Sequence, residues 1–69
     1  MRKDDYQVVE IDSIELPFQL YRWDGKAWRY QRKSFATTEE ELAFVAECGL
    51  ALLKEGTLGV WPMRVYRAK

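Results

Sequence analysis

The sequence predicts a small α+β domain, in which a mostly antiparallel β-sheet carries one helix on one face and the elements follow the order β-β-β-α-β. Apolar and polar residues alternate with the two-residue period of strands both before and after the centre of the chain. Between these segments lies a stretch with helix start and stop signals. Since the chain has 69 residues, we expect one domain over residues 1–69, with residues 1–5 as a disordered tail.

Two strands are expected in the first part of the chain. The segment Tyr6–Ile11 is rich in β-forming side chains and predicts the first strand, after which Asp12-Ser13 can turn the chain. Pro17 cannot donate to a ladder, so it should lie at an edge, at a bulge or at the start of the second strand. This second strand is predicted from its period of two, with apolar residues at Ile14, Leu16, Phe18 and Leu20.

A hairpin loop is predicted at Trp23-Asp24-Gly25, with the glycine in the left-handed conformation. A three-residue loop pairs Arg22 with Lys26, whereas a two-residue Asp-Gly loop would mix apolar and basic residues on both faces of the sheet. We favour the three-residue loop because it separates the two faces. It places four apolar residues on one face, namely Phe18, Leu20, Trp28 and Tyr30.

The stretch from Thr37 to Gly56 predicts the helix. A threonine hydroxyl can accept a hydrogen bond from an N–H that the first turn leaves unpaired. The acidic residues Glu39–Glu41 complement the positive end of the helix dipole. At the other end, Lys54 lies in the predicted last turn and Gly56 can take the positive φ that ends a helix.

The last strand is predicted over Val60–Arg67, where apolar and polar residues alternate again. We expect Trp61, Met63 and Val65 to face the helix. Phe35, just before the helix, is expected to close one end of the core.

The composition limits both stability and location. Cys48 is the only cysteine and the chain has no histidine, so an internal disulfide is impossible and an internal structural zinc site is nearly excluded. We expect no cofactor. A lone cysteine fits a reducing compartment, and the sequence has neither an apolar run long enough for a membrane span nor a signal peptide at Met1–Asp5. These features predict a cytoplasmic protein without membrane contact.

The residues that could carry catalysis are few, and we expect no enzyme. Histidine, the commonest general base, is missing. Cys48 lies within the predicted helix without a histidine to activate its thiol, so it is expected to be a small packing residue. Glu39–Glu41 are adjacent on the predicted helix, where neighbouring side chains diverge by about 100° and cannot converge on one substrate atom.

The small size of the chain predicts self-association. A domain of this length forms a marginal core, and association remains as a stabilising device once disulfide and zinc are excluded. On a helical wheel, Phe44 lies away from the main apolar arc around Leu42. We therefore expect a homodimer, or another protein, to cover a second face of the helix; alternatively, a free edge of the sheet could pair with a partner strand. The residues expected at the helix interface are Phe44, Cys48, Ala51 and Leu52.

Nucleic-acid binding is the alternative function. The net charge is zero, yet the segment from Arg22 to Lys33 holds five basic residues and one acidic residue. Aromatic rings flanked by basic groups suit single strands, whose bases stack and whose phosphates need neutralising. The zero net charge and the acidic helix argue against this function. The residues expected to bind are Tyr21, Arg29, Lys33, Arg64 and Tyr66 on the face of the sheet away from the helix, with Trp23 at the tip of the hairpin.

Overall fold

The computed structural model describes residues 1–12 and 15–69, and it shows one antiparallel sheet of five strands with a helix on one face. The strand order across the sheet is β3-β2-β1-β5-β4, so that β3 and β4 form its two edges. This confirms the α+β class and the mostly antiparallel sheet, with one strand more than expected. The elements are β1 (Tyr6–Glu10), β2 (Phe18–Trp23), β3 (Trp28–Phe35), α1 (Thr38–Glu47), β4 (Leu50–Leu58) and β5 (Trp61–Ala68).

The predicted start of the helix is confirmed, and its predicted end is wrong. Thr37 is the N-cap residue, and its Oγ1 accepts a hydrogen bond from the N–H of Glu40 at 3.2 Å. The helix ends after ten residues, because Gly49 takes a φ of 64° and donates its N–H to the carbonyl of Ala46. Among the described residues, no helix has the length and apolar character needed to cross a membrane.

The segment after Gly49, predicted to be the second half of the helix, is strand β4. Its residues pair along β5, from Leu50 opposite Ala68 to Leu58 opposite Trp61, with an irregularity at Leu53. This pairing gives the backbone of the segment its hydrogen-bond partners, which a helical prediction from local signals could not anticipate. The predicted Lys54 and Gly56 stop signals therefore lie inside a strand.

The hairpin between β2 and β3 has a loop of a different length from either loop considered above. Trp23 pairs with Trp28, and the Asp24 carboxylate accepts hydrogen bonds from the N–H groups of Lys26 and Ala27 at 2.7 and 2.9 Å. These bonds favour a four-residue loop over the predicted three-residue loop, because the carboxylate of its first residue pairs with the N–H groups of its last two residues. The Ser13 and Ile14 parts of the predicted turn and second strand lie outside the described residues.

The longer loop distributes the aromatic residues over both faces of the sheet. Tyr21 pairs with Tyr30 and Gln19 with Ser34, so the register shifts by two residues between Gln19 and Tyr21, and Arg32, in the shifted segment of β3, has a φ of 55°. Because an even shift preserves the alternation of side chains, Phe35 lies on the face of its partner Phe18. The prediction that Phe18, Leu20, Trp28 and Tyr30 share one face is therefore wrong, since Trp28 and Tyr30 lie on the face opposite the helix.

Two apolar clusters lie on the two faces of the sheet. The cluster under the helix contains Val8, Phe18, Leu20, Phe35, Leu50 and Tyr66, with Tyr6, Phe44 and Val45 packed against it. The cluster on the other face contains Val9, Met63 and Val65, covered by the larger side chains of Ile11, Tyr21, Trp28 and Trp61. The prediction that Trp61, Met63 and Val65 face the helix is wrong. Because β5 carries bulky residues on both faces, its alternation does not reveal which face meets the helix.

Candidate interaction surface

The free edge of β4 exposes aliphatic side chains over most of its length. Every residue from Ala51 to Val60 is exposed. The exposed fractions are 51% for Leu52, 44% for Leu53 and 50% for Leu58, and Val60 at the following turn reaches 81%. Lys54 and Glu55 are the two charged residues of this strand, and their charges cancel. β4 is thus a long apolar edge strand of nearly neutral charge.

The register of β4 explains this exposure. Leu50 lies on the helix face, where it joins the buried cluster, and Leu52 lies on the same face opposite Tyr66. After the irregularity at Leu53, Leu58 points to the other face, opposite Trp61. Since β4 has a neighbouring strand on one side only, its leucines remain in water on both faces of the edge.

The other edge of the sheet has different chemistry. β3 carries three basic residues, Arg29, Arg32 and Lys33, and its backbone is irregular at Arg32. Charged side chains and bulges on an edge strand hinder pairing with another chain. β3 carries more of these features than β4, whose irregularity is confined to Leu53 and whose two charged residues have opposite signs.

The residues predicted for the helix interface do not share one face of the helix. Phe44 packs on the sheet, with its ring centroid 5.7 Å from that of Tyr6 and 5.5 Å from that of Phe35. Cys48 is exposed at the C-cap of α1. Ala51 and Leu52 lie on β4, so the structure places two of the four predicted residues at the exposed sheet edge.

The rotation of the helix differs from the wheel prediction because a charged residue faces the sheet. Leu42, the centre of the predicted apolar arc, is exposed, whereas Glu41 is fully buried. Arg64 donates from Nε and Nη2 to the two oxygens of Glu41, at 2.7 Å each, and the hydroxyl of Tyr66 donates to the same carboxylate. From the sequence, Glu41 was expected only to complement the helix dipole together with Glu39 and Glu40, and the isolated sequence gives no signal for its contact with β5.

This network shifts the pKa values of Arg64 and Tyr66. The hydrogen bond to Glu41 holds the pKa of the Arg64 guanidinium above its usual range. Burial, followed by the hydrogen bond to Glu41, raises the pKa of the Tyr66 hydroxyl. Arg64 therefore stays charged and Tyr66 stays neutral, so that both retain the protons that they donate.

A second buried ion pair joins the N-terminal segment to β5. Asp5 is buried and accepts hydrogen bonds from Nε and Nη2 of Arg67, at 3.0 and 2.9 Å. The Arg67 guanidinium, through its hydrogen bonds, lowers the pKa of the Asp5 carboxyl. Asp5 belongs to the segment expected to be a disordered tail, and its carboxylate connects that segment to the sheet.

The residues predicted for nucleic-acid binding do not form one surface. Arg64 and Tyr66 face the helix and bind Glu41. Arg29 donates to Asp24 at 2.7 Å, and Lys33 lies near the rings of Phe35 and Phe44 on the helix side. Tyr21 and Trp23 lie on the opposite face, where Trp23 packs edge-on against Trp28.

Comparison of the chain with protein-family models, with curated proteins and with solved structures gave no match.

Proposed function

We propose that this protein acts by binding other protein chains, and that it forms a homodimer through the free edge of β4. The observation that carries the proposal is the run of exposed residues from Ala51 to Val60, which contains four large aliphatic side chains. Long apolar edge strands present unpaired N–H and C=O groups that favour pairing with another strand. The role proposed is binding rather than catalysis.

The energetics favour covering this edge. Full burial of a leucine contributes roughly 1.5–3 kcal/mol, so burying the remaining half of each β4 leucine contributes roughly 1 kcal/mol. Three leucines from each of two copies then supply an apolar contribution that offsets much of the entropy lost on association. Pairing of the backbone groups along the strand adds to this.

The symmetry of the sheet favours a closed dimer over a filament. Two β4 strands related by a two-fold axis perpendicular to the sheet pair antiparallel, and the helices of both copies then lie on the same side. Pairing β4 with β3 of another copy would instead propagate without closing, and it would bring the leucines against the basic, irregular edge. A residue on the two-fold axis meets its own copy, so like-charge repulsion keeps Lys54 and Glu55 off the axis.

Light scattering after size exclusion, over a range of protein concentrations, tests the homodimer. We expect twice the mass of the chain for the natural sequence and the mass of one chain for Leu52→Lys, because the ammonium would lie among the apolar side chains that the two paired strands present on the helix face. The matched control is Leu16→Lys, which alters a leucine exposed to a similar degree, 47%, before β2. A single-chain mass for the natural sequence at every concentration, or a dimer that tolerates Leu52→Lys, would contradict the proposal.

Nucleic-acid binding has less support as a second function, because Arg64 and Tyr66 are engaged with Glu41 on the helix face. A cytoplasmic location remains our expectation, and its support is the lone cysteine, Cys48, whose side chain is exposed.

A further inference from the structure

A groove of about 300 Å³ lies between α1 and β3, the edge strand opposite β4. The buried ring of Phe35 and the half-buried ring of Phe44 form its floor, and Ser34 and the exposed Ala43 also line it. Its rim carries three charged side chains, those of Lys33, Glu40 and Glu47. The volume is at the small end of the range for ligand sites, which fits one side chain better than a whole ligand.

A cation already lies over the aromatic floor. The Nζ atom of Lys33 is 5.6 Å from the centroid of the Phe35 ring and 5.8 Å from that of the Phe44 ring. Both distances are within the reach of a cation–π interaction. In the described part of the chain this ammonium forms no ion pair with a carboxylate, so the rings are its main partners.

The rest of the groove favours positive charge. Glu47 is the last residue of α1, where the helix dipole is negative, and the last turn holds no basic residue. One oxygen of Glu40 accepts the N–H of Ala36 at 2.9 Å, which holds this carboxylate at the rim. Two carboxylates and a helix C-terminus thus surround a site that holds a single ammonium.

We propose that this groove binds a basic side chain, lysine or arginine, from a protein partner, and that Lys33 occupies the site when no partner is bound. The aromatic floor would hold the aliphatic stem and the charge of the incoming side chain, while Glu40 and Glu47 neutralise it. The inference rests on the proposed function in protein binding, but it does not depend on the homodimer, since the groove and β4 lie at opposite edges of the sheet.

The test is a titration with Nα-acetyl-lysine amide, whose side-chain ammonium is free. Binding is monitored through the backbone amide signals of the ¹⁵N-labelled protein in NMR spectra. We expect weak binding that shifts signals of residues 33–35 and 43–47, and at least about twofold weaker binding of N-acetyl-norleucine amide, which lacks the charge. Lys33→Met removes the competing ammonium and keeps the stem, so it should tighten binding about two- to fivefold. Glu47→Gln should weaken binding by a similar factor, whereas Glu39→Gln, on a helix residue outside the groove, should not.

Equal binding of the norleucine compound would show an apolar groove without selectivity for a cation, and it would overturn the inference. So would signal shifts elsewhere in the protein, or an affinity that Lys33→Met leaves unchanged. The oligomeric state of the natural sequence separates the two proposals. A protein that remains monomeric but binds the lysine compound rejects the homodimer alone, and a protein that dimerises but does not bind the compound rejects the groove alone. Binding by a monomeric Leu52→Lys variant would support both.

Discussion

A single buried carboxylate determines how the helix lies on the sheet. Glu41 has no exposed surface and receives three hydrogen bonds, from Arg64 and Tyr66 of β5. The Cζ atom of Arg64 also lies 5.7 Å from the centroid of the Phe18 ring, so the guanidinium packs against the apolar core. Because a buried charge is tolerated only when it is paired, this network selects one rotation of the helix, with Phe44 toward the sheet and Leu42 toward water.

We expect Glu41→Ala to lower the free energy of unfolding by about 3–5 kcal/mol, since it removes both hydrogen bonds from the largely buried Arg64 to Glu41 and leaves Glu10, at 3.9 Å, as the nearest carboxylate. Urea denaturation measures the loss. Glu39→Ala is the matched control, because Glu39 lies in the same helical turn but is exposed, and its change should stay within about 0.5 kcal/mol. A loss below about 1 kcal/mol for Glu41→Ala would show that the network contributes little to stability.

At the scale of the elements, the boundary between α1 and β4 depends on Gly49. Gly49 has a φ of 64°, a backbone conformation that residues with a side chain adopt only at a cost. Gly56 has no positive φ, and a Cβ atom added there would meet no other atom. We expect Gly49→Ala to lower the free energy of unfolding by about 1 kcal/mol or more, and Gly56→Ala to change it little or to raise it. Thermal unfolding of the two variants makes the comparison. Equal losses would contradict the placement of the helix end at Gly49.

Local signals predicted the elements that local interactions determine. Thr37 and the glutamates after it begin the helix as expected, because an N-cap needs only residues three positions apart. The end of the helix was misplaced, because the leucines after Gly49 suit a helix as well as a strand and only pairing with β5 decides between them. The faces of β3 were wrong for a similar reason: the loop closed by Asp24 pairs Arg22 with Arg29 instead of Lys26. This odd change of register exchanges the two faces, and it is not visible in the alternation of residues.

Only part of the candidate interaction surface could be predicted from the sequence. The surplus of apolar residues pointed to association, and Ala51 and Leu52 do lie on the exposed strand. Phe44 packs on the sheet, and not on a second face of the helix, because Arg64 and Tyr66 of β5 hold the buried Glu41 and so fix the rotation of the helix. Glu41 and Arg64 form a buried ion pair although they are 23 residues apart in the chain, and such a pair leaves no local pattern in a single sequence.

At the scale of the whole molecule, the apolar residues of this short chain lie on both faces of one sheet. The helix covers one face, and the cluster of Val9, Met63 and Val65 on the other is covered by single side chains such as Trp28 and Trp61. Each cluster is small, so the domain is expected to be marginally stable alone. In the proposed dimer, covering the β4 edge with a second copy would contribute to folding as well as to function.

This coupling makes stability depend on concentration. If folded chains associate and unfolded chains do not, mass action favours the folded state more strongly as the protein concentration rises. We expect the Tm to increase over a hundredfold range of concentration, by about 2–8 °C for each kcal/mol gained. The Leu52→Lys variant should have a Tm that does not vary with concentration, and Leu16→Lys should behave as the natural sequence does. A Tm independent of concentration in the natural sequence would mean that the β4 edge, although apolar, remains uncovered in the folded protein.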